Sequence, residues 1–126
     1  KGGRQGMIAG RTLFGNLKRY PGTQGTTGRP LFNHHLASTG LTLKTALEKG
    51  ITAAAVTYED TYRPKFMPPA DRVMIRLVYA RDTRRILGPQ FLSRYDITQS
   101  ANPVSVAIAN RHTIHALSFF DMFFPP

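Results

Sequence analysis

The stretch Asp71–Ala80, DRVMIRLVYA, alternates with the two-residue period of a strand: Val73, Ile75, Leu77 and Tyr79 point one way, Met74, Arg76 and Val78 the other. The polar turn RDTR leads from it into RILGPQFL, so an antiparallel hairpin is the economical reading. Further elements gather around that hairpin. LFNHHLAST reads as a short strand and ITAAAVTYED as a strand of the buried type. Thr42 can cap a helix, with Leu41 and Ala46 in staple positions and Gly50 as its left-handed stop. Ile97, Ala101, Val104 and Ile108 fall on one helical stripe, and Thr113 is placed to cap a last short helix, IHALSFF. Strands clustered in the middle with helices around them predict an α+β domain, an antiparallel β-sheet with helices packed around it.

Glycine and proline punctuate this pattern. Met7, Ile8, Arg11 and Phe14 in RQGMIAGRTLF have helical spacing, but Gly6 and Gly10 each weaken a helix by roughly 1 kcal/mol relative to Ala, so the segment reads as the end of something larger. YPGTQGTTGRP, built around Gly22, Gly25 and Gly28, reads as a loop or boundary. Pro89 cannot donate to a ladder and implies an edge, a bulge or a strand's final pair. Pro103 fits only within a first helical turn, which places the helix start near Asn102.

At 126 residues and 41% apolar content the chain can bury the core of one domain. Its apolar runs, ITAAAV and VSVAIA among them, are far shorter than the roughly 20 residues a bilayer span needs, and no leader pattern opens it. A soluble, cytoplasmic protein is expected. With no Cys, there is no disulfide framework, thiolate metal site or thiol nucleophile within these residues. The net charge is +10, and Lys1, Arg4, Arg11, Lys18, Arg19, Arg29 and Lys44 all precede Glu48, the first acidic residue. This is either an electrostatic footprint for nucleic acid or one part of a larger, more neutral whole.

The chemistry-bearing residues are sparse. His112 and His115, at i, i+3 with Asp121 nearby, could begin a metal site, but three convergent ligands are needed and only His34 and His35 remain. Surface or capping histidines are the plainer reading. Ser93, Ser100, Ser105 and Ser118 lack a G-x-S-x-G elbow. GTQGTTG has the flavour of a phosphate loop, yet matches neither G-x-G-x-x-G nor G-x-x-x-x-G-K-[ST]. Tyr20, Tyr58, Tyr62 and Tyr79 would make a nucleic-acid platform if interleaved with Arg on one sheet face, but Tyr79 shares its face with core residues. No catalytic, cofactor-binding or metal-ligating residue is therefore assigned. The tail is the most unusual feature: ALSFFDMFFPP carries Phe119, Phe120, Phe123 and Phe124 before Pro125 and Pro126, which argues for burial against another chain.

The segments RQGMIAG, GTQGTTG, LASTGLTLKTA, YRPKFMP, VMIRLVYARDTRRILGPQFLS, DITQSANPVSVAIA and TIHALSFFDMFFPP cover nearly the whole chain. In order and spacing they resemble the C-terminal dimerisation domain of the FAD-dependent pyridine-nucleotide-disulfide oxidoreductases. Within these the similarity is greatest to the branch of NADH oxidases, NADH peroxidases and coenzyme A disulfide reductases, and LASTGLT and ILGPQ…DITQS most resemble the NADH oxidases. The resemblance implies that residues 1–20 correspond to the last helix of the FAD domain and a linker, and 21–126 to the dimerisation domain. It implies that the sheet and its following helix build the interface of a homodimer, while FAD and NADH sit on two Rossmann-type domains upstream. In the intact enzyme NADH would reduce FAD, and oxygen, peroxide or a disulfide would then be reduced through a cysteine outside this sequence. This fragment, excised or truncated from that parent, would contribute no cofactor site and no activity alone. The family's tail crosses to the partner's active site with an aromatic-Pro motif, which Phe123, Phe124, Pro125 and Pro126 resemble. Tyr62 in YRP falls near a second position where relatives place an aromatic close to the partner's redox centre. The alternative reading of the chain is a free-standing basic nucleic-acid-binding domain.

Overall fold

The alternation at residues 72–80 forms the strand it predicts, and the rest of the sheet assembles around it in a computed structural model that describes residues 1–15 and 18–121. In chain order the elements are α1 (Gly2–Leu13), β1 (Thr27–Leu31), β2 (His34–Ser38), α2 (Leu43–Glu48), β3 (Ala53–Thr61), β4 (Arg72–Ala80), β5 (Ile86–Ser93), a 3-10 turn (Thr98–Ser100), α3 (Ala101–Ala109) and α4 (Ile114–Leu117). The strands form one sheet in the order β1-β2-β5-β4-β3, and every neighbouring pair is antiparallel.

The sequence expectation of a single short strand at LFNHHLAST is corrected to a hairpin. β1 pairs with β2 from Thr27↔Ser38 to Leu31↔His34, and Phe32 and Asn33 turn the chain. Phe32 adopts a positive φ of 54° at a turn position where Gly or Asn is usual, so the turn carries no ordinary signature. The loop expected across YPGTQGTTGRP accordingly ends at Thr26, and Gly28 and Pro30 lie within β1. β1 is exposed along its length, and Pro30 blunts an edge that would otherwise offer a row of unpaired donors.

Pro89 is neither at an edge nor at the strand's last pair; it sits in β5, between β2 and β4, opposite Leu77. Its amide direction faces β2, whose ladder with β5 ends one residue earlier at Ser38↔Gln90. On that side Thr39 N–H donates to the Pro89 carbonyl at 3.3 Å, and the missing proton leaves no other rung broken. The bulge lies close by, where the β4–β5 register shifts between Val78 and Tyr79.

The sheet buries both faces unequally. On one, Ala37, Val73, Ile86 and Phe91 meet Ile97, Ala101, Val104 and Ala107 from α3 and the turn before it, with Ile114 and Leu117 of α4 leaning on the same cluster. Ala101, Val104 and Ile108 of the expected stripe lie on α3 with Ala107, whereas Ile97 joins the same cluster from before the 3-10 turn and not from the helix. Pro103 falls at the third position of α3, inside the first turn. On the other face Ala46 of α2 packs with Ala53 and Val78, flanked by Leu41, Leu43 and Ile51. Thr42 Oγ1 accepts from Thr45 N–H, and Gly50 takes φ +76° at the stop, as the capping pattern predicts. Thr113 likewise accepts from Ala116 N–H at the start of α4.

Gly40 and Gly88 fix how the chain enters α2. Residues 39–41 cross β5 so closely that a Cβ on Gly88 would lie 2.1 Å from the Leu41 carbonyl oxygen, and one on Gly40 2.1 Å from that of Leu87. A hydroxyl and amide cluster locks the same crossing: Thr26 Oγ1 meets Thr39 Oγ1 at 2.8 Å and Ser105 Oγ at 3.1 Å, and Thr39 and Ser105 both donate to Gln24 Oε1. The glycine-rich segment therefore ends in a structural tie between the β1 edge and α3. By contrast α1 buries none of its side chains, and Met7, Leu13 and Phe14 are exposed on or just beyond it.

Candidate subunit interface

Strand pairing puts Ala54, Val56 and Tyr58 of β3 on one sheet face with Tyr79, Leu77 and Ile75 of β4, as the pairs Ala54↔Tyr79, Val56↔Leu77 and Tyr58↔Ile75. This is the face that α3 covers, but α3 runs over β5 and leaves β3 open. Val56 is 51% exposed and Tyr58 60%, where the sequence predicts a buried strand. The expectation fails because β3 is the sheet's outer strand; the residues are of the buried type and the position is not.

The open face carries no charge from Ala54 to Tyr58. At its end the Tyr58 hydroxyl donates to Asp60 Oδ2 at 2.9 Å, and Thr61 N–H donates to Asp60 Oδ1 at 2.8 Å. The bond to the carboxylate, with its charge, raises the Tyr58 pKa. The Thr61 amide, then the Tyr58 hydroxyl and the charge of Lys65 lower that of Asp60. The opposite face is apolar where α2 covers it and polar beyond: Arg72 and Arg76 project there, Arg72 Nη1 pairs with Glu59 Oε1 at 3.0 Å, and a cleft of about 320 Å³ runs past His34, Met74 and Arg94.

The strand arginines and the tyrosines consequently occupy opposite faces, so the interleaved platform of a nucleic-acid interface is not formed by β3 and β4. Tyr79 lies beneath the Arg84 guanidinium, 5.7 Å from its ring centroid, and Tyr62 is stacked on Tyr95 with centroids 3.8 Å apart. Tyr62 sits directly after β3, at the foot of the loop to β4, and its hydroxyl donates to the Pro69 carbonyl. That loop exposes Phe66.

Phe119 and Phe120 follow α4. Phe119 is 75% exposed and meets His115 edge-on; Phe120 is 37% exposed and meets His112 in the same way. The structure does not bring His112, His115 and Asp121 together with His34 and His35: among the described residues no three metal-ligating side chains converge. Phe123, Phe124, Pro125 and Pro126 lie outside the described residues. Of the serine hydroxyls singled out by sequence, three are engaged structurally: Ser93 donates to the Arg72 carbonyl, Ser118 to that of His115, and Ser105 joins the Gln24 cluster.

Among the described residues there is no parallel β-α-β unit of the kind that holds a dinucleotide. A dinucleotide site needs a strand leading through a glycine turn into a helix whose N-terminus faces the pyrophosphate, within a parallel β-α-β unit. Here every strand pair is antiparallel. Among the described residues no helix is long and apolar enough to cross a membrane.

Comparisons with known proteins identify the family of the fold. The family model of the pyridine nucleotide-disulphide oxidoreductase dimerisation domain matches residues 31–126. An NADH oxidase of Enterococcus faecalis is 47% identical over 123 residues, covering 98% of this chain and 28% of that protein. A CoA-dependent NAD(P)H sulfur oxidoreductase of Pyrococcus abyssi is 26% identical over 125 residues, 99% of this chain and 28% of the relative. Among solved structures, the water-forming NADH oxidase of Lactobacillus brevis, bound to NADH, superposes with a TM-score of 0.92 at 46% identity, across 98% of this chain and 27% of that one. The chain thus spans little more than a quarter of these relatives' length. With that family model matched over residues 31–126 and an antiparallel, helix-covered sheet that superposes on a solved NADH oxidase, this chain belongs to the pyridine nucleotide-disulphide oxidoreductase dimerisation-domain family.

Proposed function

We propose that this chain joins two subunits of an NADH oxidase-like, cytoplasmic flavoenzyme through the open face of β3 and β4. The observation that carries the reading is the conflict at β3: an uncharged apolar run whose Val56 and Tyr58 stand half or more exposed. Soluble monomers seldom leave such a surface in water, and aromatic and aliphatic anchors of this kind supply much of the free energy of association. In this reading Phe119 and Phe120 belong to the interface as well, and by the family resemblance Tyr62, Phe123, Phe124 and Pro125 are the residues assigned to the approach to the partner's active site. Residues 1–20 belong in this reading to the end of an FAD domain, where Met7, Leu13 and Phe14 would be covered. FAD and NADH bind the upstream domains of the parent, NADH reduces the flavin, and oxygen, peroxide or a disulfide accepts the electrons. This chain contributes scaffold and interface to that cycle and does not turn over alone.

Sedimentation equilibrium at two salt concentrations tests the reading against nucleic-acid binding in one experiment. Two chains of charge +10 repel, so screening by added salt should tighten a homodimer held by an uncharged face. Binding to a polyanion should instead weaken steeply with salt. A strict monomer at every salt concentration, with salt-sensitive retention on heparin, would transfer support to the nucleic-acid reading.

A further inference from the structure

Tyr62 and Tyr95 are 33 positions apart in sequence, yet their rings stack with centroids 3.8 Å apart and planes within 4° of parallel. The Arg63 guanidinium lies over the Tyr62 ring at 5.3 Å, and the face occupied by Tyr95 has no room for it. Tyr62 is thus held between an aromatic ring and a cation. Its hydroxyl donates to the Pro69 carbonyl at 2.8 Å and its amide to the Asp71 carbonyl at 3.2 Å, closing the loop 62–71 on itself. Tyr95 is anchored in turn: its amide donates to Ser93 Oγ at 3.1 Å, and that hydroxyl, on a buried residue, donates to the Arg72 carbonyl at the first residue of β4.

The loop between β3 and β4, residues 62–71, is longer than the two to five residues usual for a hairpin. Here the ring of Tyr95 adds a side-chain tie to the backbone bond that closes the loop. With its proton committed to Pro69, the Tyr62 hydroxyl can only accept a further hydrogen bond, so its contribution beyond the loop depends on where the stack places it. We propose that Tyr95 is a positioning residue, acting through Tyr62, that holds the 62–71 loop in the shape presented to the second subunit. This rests on the reading above, in which Tyr62 approaches the partner's active site.

The test uses the full-length holoenzyme dimer that carries this chain, with oxygen as electron acceptor. A stack of this kind biases a local opening equilibrium roughly two- to tenfold. Tyr95→Leu is therefore expected to speed hydrogen exchange at the Tyr62 and Met67 amides by that factor. It should also lower kcat/KM for oxygen to a similar extent and leave KM for NADH unchanged. Tyr95→Phe keeps the ring and should restore both. If Tyr95→Leu does not fold, Tyr95→Met is read in the same way. Unchanged exchange in the ring-less variant overturns the proposal. Faster exchange with unchanged oxygen kinetics also overturns it, and Tyr62→Ala then separates the causes. If Tyr62→Ala slows turnover, Tyr62 still matters at the partner's site and only the positioning role of Tyr95 is lost. If Tyr62→Ala turns over normally, the approach of this loop to that site is refuted as well.

Discussion

The close crossing of residues 39–41 over β5 can be taken apart with three glycine-to-alanine substitutions that differ in one physical variable each. At Gly50, φ is +76° and nothing lies within 4 Å of the added Cβ, so Gly50→Ala carries only the left-handed backbone cost, about 1–2 kcal/mol. Gly88 has no such backbone constraint, but its Cβ would meet Leu41 O at 2.1 Å, Leu41 N at 2.6 Å and Thr39 O at 2.8 Å. All three are backbone atoms and cannot swing aside, so Gly88→Ala should reach the upper end of overpacking costs, about 3 kcal/mol. Gly40 combines both, with φ +68° and Leu87 O at 2.1 Å, for about 4–5 kcal/mol together. Typical domains have only about 5–15 kcal/mol in total. Gly40→Ala should therefore remove from about a third to nearly all of that stability, and Gly50→Ala the least of the three. Urea unfolding reads the series directly, provided the slope with denaturant stays constant. If Gly40→Ala costs no more than Gly50→Ala, the crossing is not tight and the placement of α2 must rest on something else.

Three further outcomes follow from the packing and the charges. Phe91, 6% exposed beneath α3, should cost about 3–5 kcal/mol on truncation to Ala, measured by the same unfolding assay. Phe119→Ala should stay within about 0.5 kcal/mol of the parent chain in that assay, yet weaken association on sedimentation. Asp96 has a lowered pKa, first because the Thr98 hydroxyl donates to its carboxylate, then because of the Thr98 amide, with a smaller contribution from His35. A folded pKa below the unfolded one means that this contribution to stability is present at neutral pH and is lost as the pH falls through roughly 4 and below. Carboxyl chemical shifts should give Asp96 a midpoint below that of an ordinary aspartate, and Asp96→Asn should flatten the acid limb of stability against pH.

The elements legible in the sequence are those whose signals are local. Strand β4 is written in its alternation, α2 in Thr42 and Gly50, α4 in Thr113, and each needs only its neighbours to be read. What escaped depends on distant partners. The β1–β2 turn is hidden because Phe32 adopts a backbone conformation that its side chain does not advertise. Pro89 fits a central strand only because β2 stops one residue short of it. The candidate interface was half legible: aromatic density flagged Phe119 and Phe120, whereas Val56 and Tyr58 read as core until strand order put them at the edge. Tyr95 carried no signal, since nothing in the sequence announces a stack across 33 positions.

The open face of β3 can be interrogated residue by residue because the chain has no cysteine of its own. Val56 and Thr57 are adjacent, both exposed, and project from opposite faces of the sheet. In single variants Val56→Cys and Thr57→Cys, the rate of thiol alkylation should fall with rising protein concentration at position 56 and stay constant at position 57. Equal, concentration-independent rates at both positions would show that no second copy covers this face.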